Sequence, residues 1–286
     1  TMDMVIASGV ESMSRVPIGT PMDLPQRVGL GFYKSPSMEA RYPEVFFSQF
    51  TGAEEIARKW ELDREAMDRF SFQSHQKSRA ATEAGRFDAE IVAVEKRLND
   101  GSAPGDMATR DEGIRYEASL EAMSQVRLLK EGGRLTAASA SQICDGAAGV
   151  MVVNERGLKA LGVEPLARIH HLSVTGGDPV VMLETPIAAT ERALKLAGMT
   201  IDDIDLFEVN EAFASIPMAW AKCLDADPDR LNVNGGAISL GHPLGGSGAK
   251  LMTTLVHALK DRGKRYGLQT MCEGGGLANV SIVERL

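Results

Sequence analysis

Three stretches of the sequence pair a reactive or polar side chain with neighbours that restrict it. In Gly241-His242-Pro243, one imidazole stands between a glycine and a proline inside the glycine-rich run 232–248. Glycine lets a backbone or a ligand approach closely, and the proline confines His242 to extended geometry. A fixed imidazole suits a general base or a donor to an oxyanion; a structural histidine in a turn is the other reading. In Cys272-Glu273-Gly274-Gly275-Gly276, a thiol precedes a glycine turn, where the N–H of Gly274 can face a developing oxyanion. A free cysteine is otherwise a small buried apolar residue. In Asn210-Glu211-Ala212-Phe213, an amide follows the strand-like segment Leu206-Phe207-Glu208-Val209. Its NH2 can hold a water or a carbonyl oxygen; helix capping by asparagine is the plain alternative. Cys223 reads as packing and Cys144 as the residue before the turn Asp145-Gly146.

These segments need strands and helices to aim them. Leu206–Val209 reads as a buried strand, from which the chain enters a helix through Asn210–Phe213. Thr185 caps a helix with Pro186 at its first position and Gly198 at its end. Gly267–Cys272 and Leu277–Val283 read as a hairpin about a wide glycine turn. A helix is expected over about 249–260, and buried strands over Met4–Ala7 and Ala147–Val153. A helical region is expected over about 53–84, with Asp63 as an N-cap, Leu62 stapled to Met67, and His75 on a solvated polar face. Phe87–Val94 reads as a weak strand, and 99–115 as a charged excursion. Prolines 17, 21, 25, 36 and 43 mark the stretch up to about Tyr42 as an irregular loop. Long ordered loops are often lids over a site. Strands alternating with helices give an α/β fold.

With 286 residues, the chain has room for about two domains. Hydrophobic residues are 44% and charged residues 24%, which excludes disordered, collagen-like and coiled-coil chains. The 31 Lys and Arg against 39 Asp and Glu leave a net charge of −8, so nucleic acid is not an expected partner. Three scattered cysteines make neither a disulfide framework nor a metal site, and a reducing, cytoplasmic setting is expected. No apolar run is long enough for a membrane helix, so no membrane partner is expected.

Taken together, Asn210–Phe213, Gly241–Pro243 and Cys272–Gly276 resemble three motifs that occur in this order in the thiolase family. Gly235-Gly236-Ala237 and the opening Val5–Ser14 are similar to further family segments. The resemblance implies two similar α/β halves in five α-β-α-β-α layers with an inserted loop domain. It implies acyl transfer between CoA thioesters: thiolytic cleavage of a 3-ketoacyl-CoA to acetyl-CoA and a shortened acyl-CoA, or the reverse Claisen condensation. His242 then matches the residue that activates the nucleophile and helps hold the thioester oxygen. Asn210 matches the residue that positions a water there, and Cys272 the second, acid/base thiol. The N–H of Gly274 matches a donor of the second oxyanion hole, with Phe213 beside the substrate. CoA enters as substrate, without a permanent cofactor or metal, and a homo-oligomer is implied. His171 is a candidate CoA contact or a strand-end residue, and Arg127 a candidate for the adenine-phosphate end of CoA.

The sequence also departs from the family. No cysteine matches the family's nucleophile, so the N-terminal region carrying it is expected to be missing and the chain inactive alone. A non-catalytic thiolase-like binding or assembly subunit is the alternative. Related ketoacyl synthases are disfavoured, because they place a His-Gly-Thr setting where this chain has Asn210-Glu211-Ala212. The expected division is a remnant of the N-terminal half at 1–16, a covering domain at 17–134, completion of the N-terminal half at 135–180 and the C-terminal domain at 181–286. Gln49-Phe50 stands where many members have His-Met, which suggests an acyl pocket unlike that of the short-chain enzymes.

Overall fold

A computed structural model describes residues 2–98 and 100–286. The chain runs β1 (Met4–Ser12), α1 (Thr20–Arg27), α2 (Pro36–Arg41), α3 (Gln49–Lys59), α4 (Arg64–Glu83), β2 (Val94–Glu95), β3 (Met107–Ala108) and α5 (Leu120–Ser124). It continues through β4 (Asp145–Val153), α6 (Glu155–Leu161), β5 (Ala167–Gly176), α7 (Thr185–Ala197), β6 (Leu206–Val209) and α8 (Ser215–Leu224). Last come α9 (Ala237–Leu240), α10 (Ser247–Asp261), β7 (Tyr266–Glu273) and β8 (Leu277–Arg285).

The main sheet has the order β5-β8-β7-β6. β6 runs parallel to β7, while β8 pairs antiparallel with β7 and β5. The parallel pair places the C-terminal ends of β6 and β7 side by side, so Asn210, just past β6, and Cys272, near the end of β7, lie at the same end of the sheet. All four residues of β6 are buried. α7 packs on β5 and β8, whereas α10 touches β6, β7, β8 and also β1 and β4. The apolar residues of α10 recur at Leu251, Leu255, Ala258 and Leu259, which is the spacing of one helix face. The expected hairpin forms as read. Gly276 sits at φ +83°, and a Cβ there would stand 2.6 Å from the carbonyl oxygen of Asp178. Thr185 caps nothing; α7 begins one residue earlier than expected, and the Thr185 hydroxyl donates to the Gly276 carbonyl at 2.9 Å. β5 lies within 135–180, yet its pairing with β8 makes it part of the C-terminal sheet.

Several expectations fail for identifiable reasons. β1 and β4 pair only with each other, from Met4↔Val153 to Ser12↔Asp145. Met4, Val5, Ile6 and Val10 are therefore exposed rather than buried. The proline-rich stretch holds two helices, because Pro21 and Pro36 stand in the first turn, where their missing N–H is unneeded. The helical region 53–84 is two helices, with Asp63 capping α4 through the Ala66 N–H at 2.7 Å. Phe87–Val94 does not form a strand beyond the two residues of β2. The chain reaches α8 at Ser215, not through Asn210–Phe213.

His75 is the clearest reversal. It is buried, and its Nδ1 accepts the Arg115 N–H at 3.1 Å. It shares a face with Ser71, Ser74 and Ser78, all buried. A polar face is buried here because small hydroxyl side chains let glycine backbone come close. A Cβ on Gly235 would stand 1.9 Å from the Ser78 hydroxyl, and one on Gly236 would stand 2.3 Å from the Glu211 carboxyl. Gly236→Ala should therefore cost about 1–3 kcal/mol, the range for overpacking a filled interior. Gly176→Ala, where a Cβ meets nothing closer than 3.7 Å, should cost much less. Denaturant unfolding of the two variants checks this difference.

Candidate active site

His242 follows Gly241, whose φ of +82° ends α9 and turns the chain back. A Cβ on Gly241 would meet the Cys144 thiol at 2.6 Å, so this turn requires glycine. The ring of His242 is held at both nitrogens. Nε2 lies 3.2 Å from the amide nitrogen of Asn210, and Nδ1 lies 2.5 Å from the Ser247 hydroxyl. Ser247 gives its one proton to the Pro243 carbonyl at 2.8 Å. Its oxygen can then only accept from Nδ1, which fixes the proton on Nδ1 and leaves Nε2 with a free lone pair. Asn210 meets that lone pair with its NH2. Burial, helped by the charge of Lys250, lowers the His242 pKa to about 4. The ring is neutral near pH 7, with its basic nitrogen turned to Asn210.

Asn210 is buried, and its backbone N–H donates to the Thr270 carbonyl at 3.1 Å. The next residue, Glu211, is the anchor of the segment. Its carboxyl accepts from the Ser74 hydroxyl at 2.7 Å, the Asn232 amide at 2.9 Å and the Ile238 N–H at 3.1 Å. One side chain thus ties the Asn210 turn to α4, to the Asn232 loop and to the start of α9. Burial raises the pKa of Glu211, against those hydrogen bonds.

Cys272 stands near the end of β7 and is buried, which pushes its thiol up to about 12. It remains an undissociated S–H at neutral pH. It packs in the same apolar cluster as Ala212 and Phe213. Gly274 is exposed in the following turn. Phe213 is buried, with the ring of Phe50 against it edge-on at 5.5 Å. That contact brings α3 of the 17–134 segment onto the site.

The two remaining candidates do not join this group. His171 lies on β5, at the opposite edge of the sheet from β6, with a register irregularity beside it. Three strand spacings separate it from β6, about 14 Å. Arg127 is exposed after α5. Of the other thiols, Cys223 is exposed on α8 and Cys144 is half-buried beside Gly241. Ser247, which sets the His242 proton, was not singled out from sequence. Its signal was its place at the start of a helix, four residues after Pro243. Among the described residues, no group of three or more His, Cys, Asp and Glu side chains is placed to hold a metal. No described helix is long and apolar enough to cross a membrane.

This fold is that of the thiolase family, to which the chain belongs. The family model of the thiolase N-terminal domain matches residues 1–156, and that of the C-terminal domain matches residues 163–285. The expected loss of the N-terminal region is not borne out, since the N-terminal model matches from residue 1. Similar proteins include a steroid 3-ketoacyl-CoA thiolase, FadA6, of Mycobacterium tuberculosis. It is 52% identical over all of this chain and 69% of its own length. A 3-ketoacyl-CoA thiolase of Bacillus subtilis is 38% identical over 99% of the chain and 72% of its own. Among solved structures, human mitochondrial 3-ketoacyl-CoA thiolase superposes with a TM-score of 0.83 at 36% identity, over 99% of this chain and 72% of that one. A structure of that human enzyme with CoA gives the same TM-score.

Nitrogen-15 NMR of the imidazole should show His242 neutral, with its proton on Nδ1, from about pH 6 to pH 8. Below pH 6.5, the unfolded chain binds a proton that the folded ring refuses down to about pH 4. The contribution of His242 to stability should therefore fall as pH drops through that window. A ring titrating near 6.5 would contradict this assignment.

Proposed function

We propose that this site performs acyl transfer on CoA thioesters: thiolytic cleavage of a 3-ketoacyl-CoA, or its reverse. The observation that carries the reading is the buried Asn210–His242 pair, with its proton placement set by Ser247. Nε2 has the free lone pair that takes the proton of a nucleophilic thiol. Having taken it, Nε2–H becomes a donor to the acyl oxygen, beside the NH2 of Asn210. The ring's aversion to charge means it holds that proton only while an anion stands next to it.

The thiolate forms a bond to the 3-keto carbon, and the bond between C2 and C3 breaks. The electron pair left on C2 takes the proton of Cys272, giving acetyl-CoA. Cys272, now a thiolate, takes the proton of a second CoA, whose sulfur attacks the acyl group and releases the nucleophile. A thiol with a pKa of about 12 suits this work, since it stays protonated until a strongly basic carbon is formed. We assign the N–H of Gly274, in the exposed turn beyond Cys272, to donate to the enolate oxygen.

None of the three thiols in the sequence fits the nucleophile. Cys272 is the acid, Cys223 is exposed on a helix away from His242, and Cys144 packs against Gly241. The chain by itself should bind CoA thioesters without turning them over. A binding or assembly subunit with this site intact is the second reading. CoA is the small-molecule partner, and self-association is carried over from the resemblance. The free thiols fit a reducing compartment such as the cytoplasm.

We assign the 17–134 segment to the acyl group. Leu24, Val28, Leu30, Phe32, Phe46 and Phe50 are all exposed there, and Phe50 touches Phe213. That surface suits a large apolar acyl chain, in keeping with the name of the Mycobacterium tuberculosis relative. Calorimetric binding should tighten by about fourfold per methylene that the acyl chain buries, from about 0.8 kcal/mol each. Phe50→Ala should flatten that dependence. Failure of any acyl-CoA to bind would overturn the reading. Release of acetyl-CoA from acetoacetyl-CoA and CoA by this chain would show that Cys144, Cys223 or Cys272 is the nucleophile.

A further inference from the structure

Behind the Asn210–His242 pair lies a small cavity that the chemistry above does not use. Glu208, Asn210, Gly236, Ser247, Lys250 and Thr254 line it. The space open to the centre of a water-sized sphere is about 10 Å³, close to what one water molecule requires. Glu208 on β6 and Asn210, the first residue past its end, both line this cavity.

Glu208 is 1% exposed, and neither of its carboxyl oxygens has a hydrogen-bond partner. The Oδ1 of Asn210 is also buried and unpartnered. On β7, the register partner of Glu208 is Gln269, whose NH2 is likewise buried and unpartnered. A charged carboxylate in this place would have no counter-ion in contact. A carboxylic acid fits better, because its carbonyl can accept from the Gln269 NH2 while its O–H donates across the cavity. Lys250 of the cavity lining is paired with Asp111 at 2.7 Å, and the charged groups that act on Glu208 are Glu211, Glu90, Lys77 and Arg262. Two of these are acidic, and burial is the larger influence; both act toward the neutral form.

We propose that Glu208 is a positioning residue: as a carboxylic acid it donates its O–H, through a water molecule in the cavity, to Oδ1 of Asn210 and so holds the amide with its NH2 toward His242 and the acyl oxygen. The proposal rests on the reading of Asn210 and His242 as the oxyanion-binding pair. It gives both ends of the Asn210 amide a partner. Without it, rotation of the amide is opposed only by the lone pair of His242.

The test uses the full chain with acetyl-CoA labelled with carbon-13 at the thioester carbonyl, and infrared difference spectroscopy. Binding should move the carbonyl band to lower frequency, because the NH2 of Asn210 polarises it. Asn210→Ala should abolish most of that shift. Glu208→Leu should do likewise, with the affinity for CoA itself changed less than twofold. Glu208→Gln, which keeps a neutral donor of the same shape, should restore the shift. If acetyl-CoA fails to bind, or if Asn210→Ala leaves the shift intact, the oxyanion reading falls and this proposal with it. If Asn210→Ala abolishes the shift while Glu208→Leu keeps it, only the role of Glu208 is overturned. Should Glu208→Leu fail to fold, the wild-type spectrum against Glu208→Gln decides. Loss of a carboxylic-acid carbonyl band at pH 7 supports the proposal, and loss of carboxylate bands overturns it.

Discussion

A single proton on the His242 ring decides what the site can do. The Asn210 NH2 can face Nε2 only if Nε2 carries no proton. That holds only if Nδ1 carries it, and Nδ1 keeps it only because the Ser247 hydroxyl has spent its own proton on the Pro243 carbonyl. Each link is a hydrogen bond inside a buried pocket, where an unsatisfied group costs about 1–3 kcal/mol. The ring is thereby presented as a base at rest and as a donor after it has accepted a proton. Much of the surrounding backbone serves this placement. The positive φ of Gly241, the extended turn before Pro243 and the start of α10 all set the ring against Asn210.

The scaffold reaches that arrangement by close backbone approach more than by apolar packing. Glu211 bonds to α4, the Asn232 loop and α9 at once, and the glycines at 235 and 236 leave no room for a Cβ. Apolar packing dominates elsewhere, where Trp220, Phe207 and Leu268 fill the sheet–helix interface. The 17–134 segment joins the site through Phe50 on Phe213, an aromatic contact of a kind worth about 0.5–1.5 kcal/mol beyond its burial. It thus shares a packed contact with the site while leaving apolar side chains exposed.

Much of this was legible in the residues. Leu206–Val209, the β7–β8 hairpin, the end of α7 at Gly198 and the Asp63 cap follow from local rules of periodicity, glycine and capping. The three chemical segments were legible because glycine and proline beside His242 and Cys272 restrict geometry within a few residues. What was not legible depends on distant partners. His75 lies on a polar helix face that is buried only because glycine backbone from residues 235 and 236 covers it. Met4–Ala7 reads as a core strand, but burial depends on what packs against the strand, and here only β4 pairs with it. His171 has the side chain of a ligand contact, yet strand order puts it at the far edge of the sheet. Glu208 looked like one polar letter in an apolar strand; only the fold shows that it faces the same cavity as Asn210.

The most direct measurement is a crystal structure of this chain soaked with acetyl-CoA. The expected result is a thioester oxygen within hydrogen-bond distance of Asn210 Nδ2 and next to the His242 ring, with the Cys272 sulfur beside the acyl α-carbon. A thioester bound away from the His242–Asn210 pair, or an imidazole turned so that Nδ1 faces the ligand, would contradict the account.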